Sequence, residues 1–189
     1  MFNDLTTPFS ALATRRSGKP RDLAAPGPDA GQLARILAVA TRTPDHGKLA
    51  PWRFVVIDDR DAFAALLRRA FLAERPGTRD ADLATVEQFA YQAPVLVVAL
   101  SSPKADSPIP LWEQQLSAGA ACMNMLHAAH AIGFAGGWLT GWAAYSDAVR
   151  DAFGAAPERI AGFLFLGTPG KALSERPRPD PAAVISHWP

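Results

Sequence analysis

Cysteine is almost absent from this sequence: Cys122 stands alone among 189 residues. A lone thiol cannot close an internal disulfide, so a reducing, cytoplasmic setting is expected. Its Ala-rich surroundings point to a buried and inert side chain. A surplus of charge is missing too. The 19 Lys and Arg face 18 Asp and Glu, a formal net charge of +1. Such a balance creates no broad basic field for nucleic acid or an anionic membrane, and any anion site must be a local cluster. The start, MFNDLTTPFS, has neither the basic opening nor the apolar core of a signal peptide. There is no uninterrupted apolar run of membrane-spanning length. The most apolar stretch, residues 117–139, contains Asn124, His127, His130 and four glycines, which favours a buried helix.

Several catalytic signatures are missing as well. Gly133, Gly136, Gly137 and Gly141 do not have dinucleotide-fingerprint spacing, and a helical segment precedes them where that fingerprint needs a strand. Gly170-Lys171 lacks the first glycine and the following hydroxyl of a phosphate-binding P-loop. His127 and His130 share a helix face, but no nearby Glu or Cys completes a metal set, and no metal is expected. No serine or cysteine sits in a recognisable nucleophile setting.

Periodicity and punctuation outline the elements that are present. A short helix is expected over residues 8–14 and a Pro- and Gly-containing loop over 15–28. Asp29 and Gln32 have capping-box spacing, with Leu33, Ile36, Leu37 and Ala40 behind them at helical intervals. A polar loop covers 41–51, and 52–57 is a β-rich run. Asp59 and Asp61 open a helix with Phe63, Leu66, Leu67 and Phe71 on one face, and Pro76-Gly77 ends it. Helix over 80–91, a doubly buried strand over 94–100, a loop over 101–110 and a long helix over 111–132 follow. Residues 135–140 are extended, Ser146 caps a helix that stops at Gly154, and 160–166 forms another apolar strand. The proline-rich tail, 171–189, has too few apolar residues for its own core and is read as mobile or as an arm lying on another surface. Helices and strands do not alternate strictly, so the fold class is α+β rather than doubly wound α/β.

Three clusters could carry chemistry. Arg15-Arg16-Ser17-Gly18-Lys19 combines three cations with a hydroxyl, which suits a phosphate and equally describes a solvated basic loop. Arg42-Thr43-Pro44-Asp45-His46-Gly47-Lys48 gathers a cation, a carboxylate and an imidazole in a loop, the setting of many ligand sites and of many solvated turns. Gly136-Gly137-Trp138-Leu139-Thr140-Gly141 permits a flat ring to approach the backbone, or tight helix–strand packing.

Taken in order, these segments resemble the nitroreductase family, especially its short single-domain members. The matching features are Arg15-Arg16-Ser17, Arg42-Thr43-Pro44-Asp45-His46 with Pro51-Trp52, Trp112-Glu113-Gln114 with Ser117-Ala118-Gly119, Gly136-Gly137-Trp138, and the run from Gly162 through Gly167-Thr168-Pro169. The resemblance implies an α+β sandwich with a central, mostly antiparallel sheet, spanning residues 1–170, and a C-terminal arm, 171–189, packing on a partner subunit. It further implies a homodimer with FMN at the subunit interface and NADH or NADPH as co-substrate. Nitroaromatics, quinones or related small molecules would be the acceptors in a ping-pong scheme, and no protein side chain is an obligatory catalyst. On this likeness Arg15 and Ser17 hold the phosphate and ribityl chain, Arg16 lies beside them, and Lys19 sits near the flavin pyrimidine edge. Arg42 and His46 reach the cofactor from the second loop, Trp138, Leu139 and Thr140 line the ring, Lys171 adds a phosphate contact, and residues 128–133 meet the nicotinamide nucleotide. One departure stands out: close relatives often carry Arg where this chain has Leu139. That change keeps two alternatives open, a flavin- or nucleotide-binding protein without efficient NAD(P)H turnover, and a flavin-fragmenting relative.

Overall fold

A computed structural model describes residues 2–188; Pro189, at the end of the expected arm, lies outside them. Thr7 caps the first helix, α1 (Pro8–Thr14), by accepting from the Ser10 amide, with Pro8 in the first turn. The expected capping box opens α2 (Ala30–Ala40): Asp29 accepts from the Gln32 amide, and the Gln32 side chain accepts from the Asp29 amide. Asp59 caps α3 (Arg60–Glu74), and Gly77, at φ +83°, makes the turn into α4 (Asp80–Gln88). Residues 89–91, expected to prolong α4, tighten into a 3-10 turn.

Five strands form one antiparallel sheet: β1 (Leu23–Ala24), β2 (Trp52–Val56), β3 (Val95–Ser101), β4 (Ala135–Leu139) and β5 (Arg159–Pro169). The long β5 lies at its centre. It pairs with β3, which in turn pairs with β2, and also with β4 and, through Thr168 and Pro169, with β1. The short strand β1 corrects the expectation of a plain loop over 15–28. That segment contains a 3-10 turn at Pro20–Asp22 and a two-residue strand, in register with Thr168 and Pro169. Two residues carry no readable alternation; their pairing is made by a strand far away in the chain.

Alternation along β3 and β5 divides the core into two layers. Leu96, Val98, Leu100, Phe163 and Phe165 face α3, α4 and two short helices, α6 (Trp142–Tyr145) and α7 (Asp147–Asp151). Val97, Ala99, Leu164 and Leu166 face α2 and the long α5 (Leu111–Ala131). Phe163 and Phe165 are fully buried, and each such side chain contributes about 1.5–3 kcal/mol through its removal from water. Ser146 caps α7 as expected, accepting from the Val149 amide. The tail holds one short helix, α8 (Pro181–Val184), with no buried residue.

Candidate functional site

The cationic run 15–19 leaves α1 and passes along the free edge of β4. The Gly18 amide donates to the Gly136 carbonyl at 3.1 Å. Gly137 allows this approach, since a Cβ there would stand 2.7 Å from the Gly18 carbonyl oxygen. The Arg16 carbonyl is anchored from α5 by His130 Nε2 at 3.1 Å, and His130 Nδ1 lies 2.5 Å from the Leu126 carbonyl. Burial holds the His130 imidazole below its ordinary pKa, outweighing the two hydrogen bonds that raise it.

The cations on this edge differ in what engages them. Arg15 donates to Ser17 Oγ at 3.1 Å. Its pKa is held down by burial first, then by Arg178 and Arg16. Neither Arg15 nor Lys19 has an ion-pair partner among the described residues. Arg16, only 8% exposed, donates through Nε and Nη2 to the Ser174 carbonyl at 2.9 and 2.6 Å and lies 3.4 Å from Glu175. Lys171 pairs with Asp22 at 3.0 Å. A cavity of about 310 Å³ opens among Arg16, Ser17, Lys19, Lys171 and Ser174. Sequence reasoning missed Arg178, which the tail brings beside Arg15 and which pairs with Glu175 at 3.2 Å. No local pattern links residues so far apart in the chain.

The second loop is secured separately. Ser117 Oγ donates to the Pro44 carbonyl at 2.6 Å, Asn124 Nδ2 to Thr43 Oγ1 at 2.8 Å, and the Ala50 amide to Asp45 at 2.7 Å. His46 Nδ1 lies 2.8 Å from Glu113 Oε2. Lys48 and Ala50 have positive φ of 56° and 47°, a conformation that non-glycine residues adopt only where the surroundings impose it. Glu113, Ser117, Asn124 and His127 recur at helical spacing on α5, a polar stripe in an apolar helix that the sequence already carried. Glu113 holds the second loop, while His127, its pKa lowered by burial and then by Arg15, marks the first. Fourteen residues of helix separate them, about 21 Å at 1.5 Å per residue. His46 is therefore held well along α5 from the segment 15–19, whereas Thr43, next to Arg42, is held by Asn124, one turn from His127.

Trp138 and Leu139 point to opposite sides of β4. The Trp138 indole donates to the Ala161 carbonyl at 3.0 Å, lies across Gly162 and reaches toward Gly119 of α5; it is 37% exposed. Leu139 packs into the α3 side of the core, so only its backbone is left for the sheet edge. Thr140 and Gly141, at φ +71°, continue the edge beyond the strand. From Gly136 to Thr140 this edge runs about 13 Å at 3.3 Å per residue. It has cations and a hydroxyl at one end and flat, weakly polar backbone at the other. That donor set fits a mononucleotide carrying a planar ring.

Fold and edge together define the class. The chain belongs to the nitroreductase family, a family of oxidoreductases, whose sequence profile matches residues 12–168. Among its relatives is an Escherichia coli K12 protein named "Putative NAD(P)H nitroreductase YdjA", 37% identical over 181 residues, covering 94% of this chain and 97% of the relative. A nitroreductase-like family protein from Bacillus cereus has a similar structure, with a TM-score of 0.81 at 20% identity over 97% of this chain and 96% of that one. A Bacteroides fragilis nitroreductase with bound FMN superposes with a TM-score of 0.68 at 23% identity, covering 94% and 96% of the two chains. Among the described residues no helix is long and apolar enough to cross a membrane.

Proposed function

We propose that this chain is an FMN-dependent, NAD(P)H-using oxidoreductase that works as a cytoplasmic homodimer and reduces nitroaromatics, quinones or related small acceptors in a ping-pong cycle. The observation that carries this reading is the segment 15–19, bonded through Gly18 to the free edge of β4, with Arg15 and Lys19 lacking carboxylate partners among the described residues.

Arg15 and Ser17 hold the phosphate and ribityl chain in this reading, with Arg16, Lys171 and the newly found Arg178 around them. Arg–phosphate contacts gain both charge and directional hydrogen bonds. Lys19 brings a cation to the pyrimidine edge, which favours added negative charge there in a preorganised site. Trp138, Thr140 and the backbone of Leu139 line the ring. Bound FMN supplies the two-electron redox chemistry, and the protein supplies orientation and electrostatics. The inward packing of Leu139 removes any donor at that position, which favours as second reading a flavin-binding protein with poor NAD(P)H turnover, or a flavin-fragmenting relative.

The separation of His46 from the segment 15–19 supports the dimer. A cofactor site at a two-fold interface lets Arg42 and His46 of one protomer serve the segment 15–19 of the other. Exposed apolar side chains offer surface for it: Phe9 and Leu12 on α1, Trp112 and Leu116 on α5, and Val184, Ile185 and Trp188 in the tail. Residues 1–170 form the body, and 171–189 the arm that covers the partner.

The purified protein is expected to show flavin absorbance that NADH or NADPH bleaches without oxygen. A colourless protein that takes up no added FMN sinks the reading. Bound flavin that neither nicotinamide reduces transfers support to the second.

A further inference from the structure

Beyond Gly141, on the face of the sheet away from α5, a slot of about 170 Å³ opens between α3, α4 and α6. Its walls are aromatic and fixed. Phe71 and Trp142 meet edge to face, with ring centres 4.7 Å apart. Opposite them, Phe89 is wedged against Phe163 and Phe165, both at 5.1 Å in the same geometry. Leu67, Val86 and Ala143 add apolar lining, and Thr140 and Gly141 line the end nearest β4. The polar groups of the walls are mostly satisfied elsewhere. The Trp142 indole donates to Glu74 at 2.6 Å, the other Glu74 oxygen lies 2.5 Å from Ser146 Oγ, and the Thr85 hydroxyl donates to the Ala81 carbonyl at 3.1 Å. An apolar cavity of about 150 Å³ is enough to hold benzene, so this slot has room for one aromatic ring.

The slot does not end in bare solvent. Phe71, Thr85 and Val86 also border a wider recess of about 550 Å³, whose rim carries Arg75 and Arg79. Arg79 is closed onto Asp82 by two hydrogen bonds of 2.9 and 3.2 Å. Arg75 is different. Its guanidinium carbon stands 4.8 Å from the centre of the Phe71 ring, and it has no carboxylate partner among the described residues. Its backbone is held at the end of α3 by its amide bond to the Phe71 carbonyl and by the Thr78 hydroxyl on its own carbonyl. A cation without a carboxylate partner among the described residues therefore stands on the rim of the recess that adjoins a slot one ring in size.

We propose that this slot and rim bind a monocyclic aromatic carboxylate, with its ring between the Phe71–Trp142 pair and Phe89 and its carboxylate on Arg75. The slot shares Thr140 with the proposed ring site but uses none of the residues 15–19, and it stands whether or not the chain turns over NAD(P)H.

Fluorine NMR on the purified protein, titrated separately with para-fluorobenzoate and fluorobenzene, tests it. Para-fluorobenzoate should bind more tightly than fluorobenzene. Val86→Phe, which fills the slot, should abolish binding of both. Arg75→Gln, at an exposed helix end, should weaken para-fluorobenzoate by about tenfold and leave fluorobenzene unchanged, as expected for the loss of a charged hydrogen bond. Absence of binding by the unaltered protein overturns the site. Binding that survives Val86→Phe overturns the slot as its location, and equal para-fluorobenzoate binding by Arg75→Gln overturns the acid. Should Val86→Phe fail to fold, Arg75→Gln still decides. The flavin spectrum reports separately on the cofactor reading.

Discussion

Gly18 and Gly136 are joined by one backbone hydrogen bond, from the Gly18 amide to the Gly136 carbonyl at 3.1 Å, and that bond ties the cationic run to the sheet. The neighbouring Gly137 leaves the space that lets the two backbones meet. The geometry of the whole edge depends on this contact, because it sets Arg15, Ser17 and Lys19 in a row beside β4.

Gly137→Ala should push the segment 18–20 off the edge. The added Cβ would stand 2.7 Å from the Gly18 carbonyl oxygen and 3.1 Å from the Pro20 ring. Overpacking of this kind costs about 1–3 kcal/mol. Thermal melts should show that loss, and the purified variant should retain less FMN than the unaltered protein. Unchanged FMN content would separate the edge from cofactor binding.

His130 makes stability pH-dependent. Its folded-state pKa is held below the ordinary 6.5, chiefly by burial. The unfolded chain therefore takes up a proton that the folded chain resists, and stability falls as pH drops below 6.5 toward the folded pKa. Above 6.5 this contribution is fully present. Denaturant midpoints measured from neutral to mildly acidic pH should decline, and His130→Gln should flatten the His130 part of that slope while lowering stability at neutral pH. A slope the variant leaves intact would assign the effect to other groups, His127 first, whose pKa is also lowered by burial.

Cys122 should be silent toward alkylating reagents in the folded protein. Its side chain is fully buried on α5, and burial pushes the thiol pKa up to about 12. Thiolate is the reactive form, and it is withheld both sterically and by protonation. Mass spectrometry after iodoacetamide should find no adduct under native conditions and complete modification in denaturant. Rapid native labelling would show that α5 opens locally.

Much of the local structure was legible because its causes lie within a few residues. The Asp29–Gln32 box, the Ser146 cap and the Gly77 break each act on adjacent backbone groups, so spacing alone reveals them. The buried runs in β3 and β5 could be seen as strands, since a strand covered on both faces needs apolar residues throughout. Candidate site residues were readable only as clusters. Nothing near Arg15 in the chain announces Arg178, and nothing near Arg75 announces that its recess adjoins a slot lined by Trp142.

By itself, the sequence determined the α+β class, the positions of most helices and strands, the family, and the cationic run on which the proposed cofactor site rests. These depend on periodicity, caps and ordered motifs. Only the tertiary structure decided that β1 exists, that Leu139 faces inward while Trp138 lies over Gly162, and that His46 is held on Glu113, about 21 Å along α5 from the His127 turn beside Arg15. Such facts come from strand register and from which face of α5 meets which loop. They are set by packing between segments far apart in the chain, where local spacing carries no information.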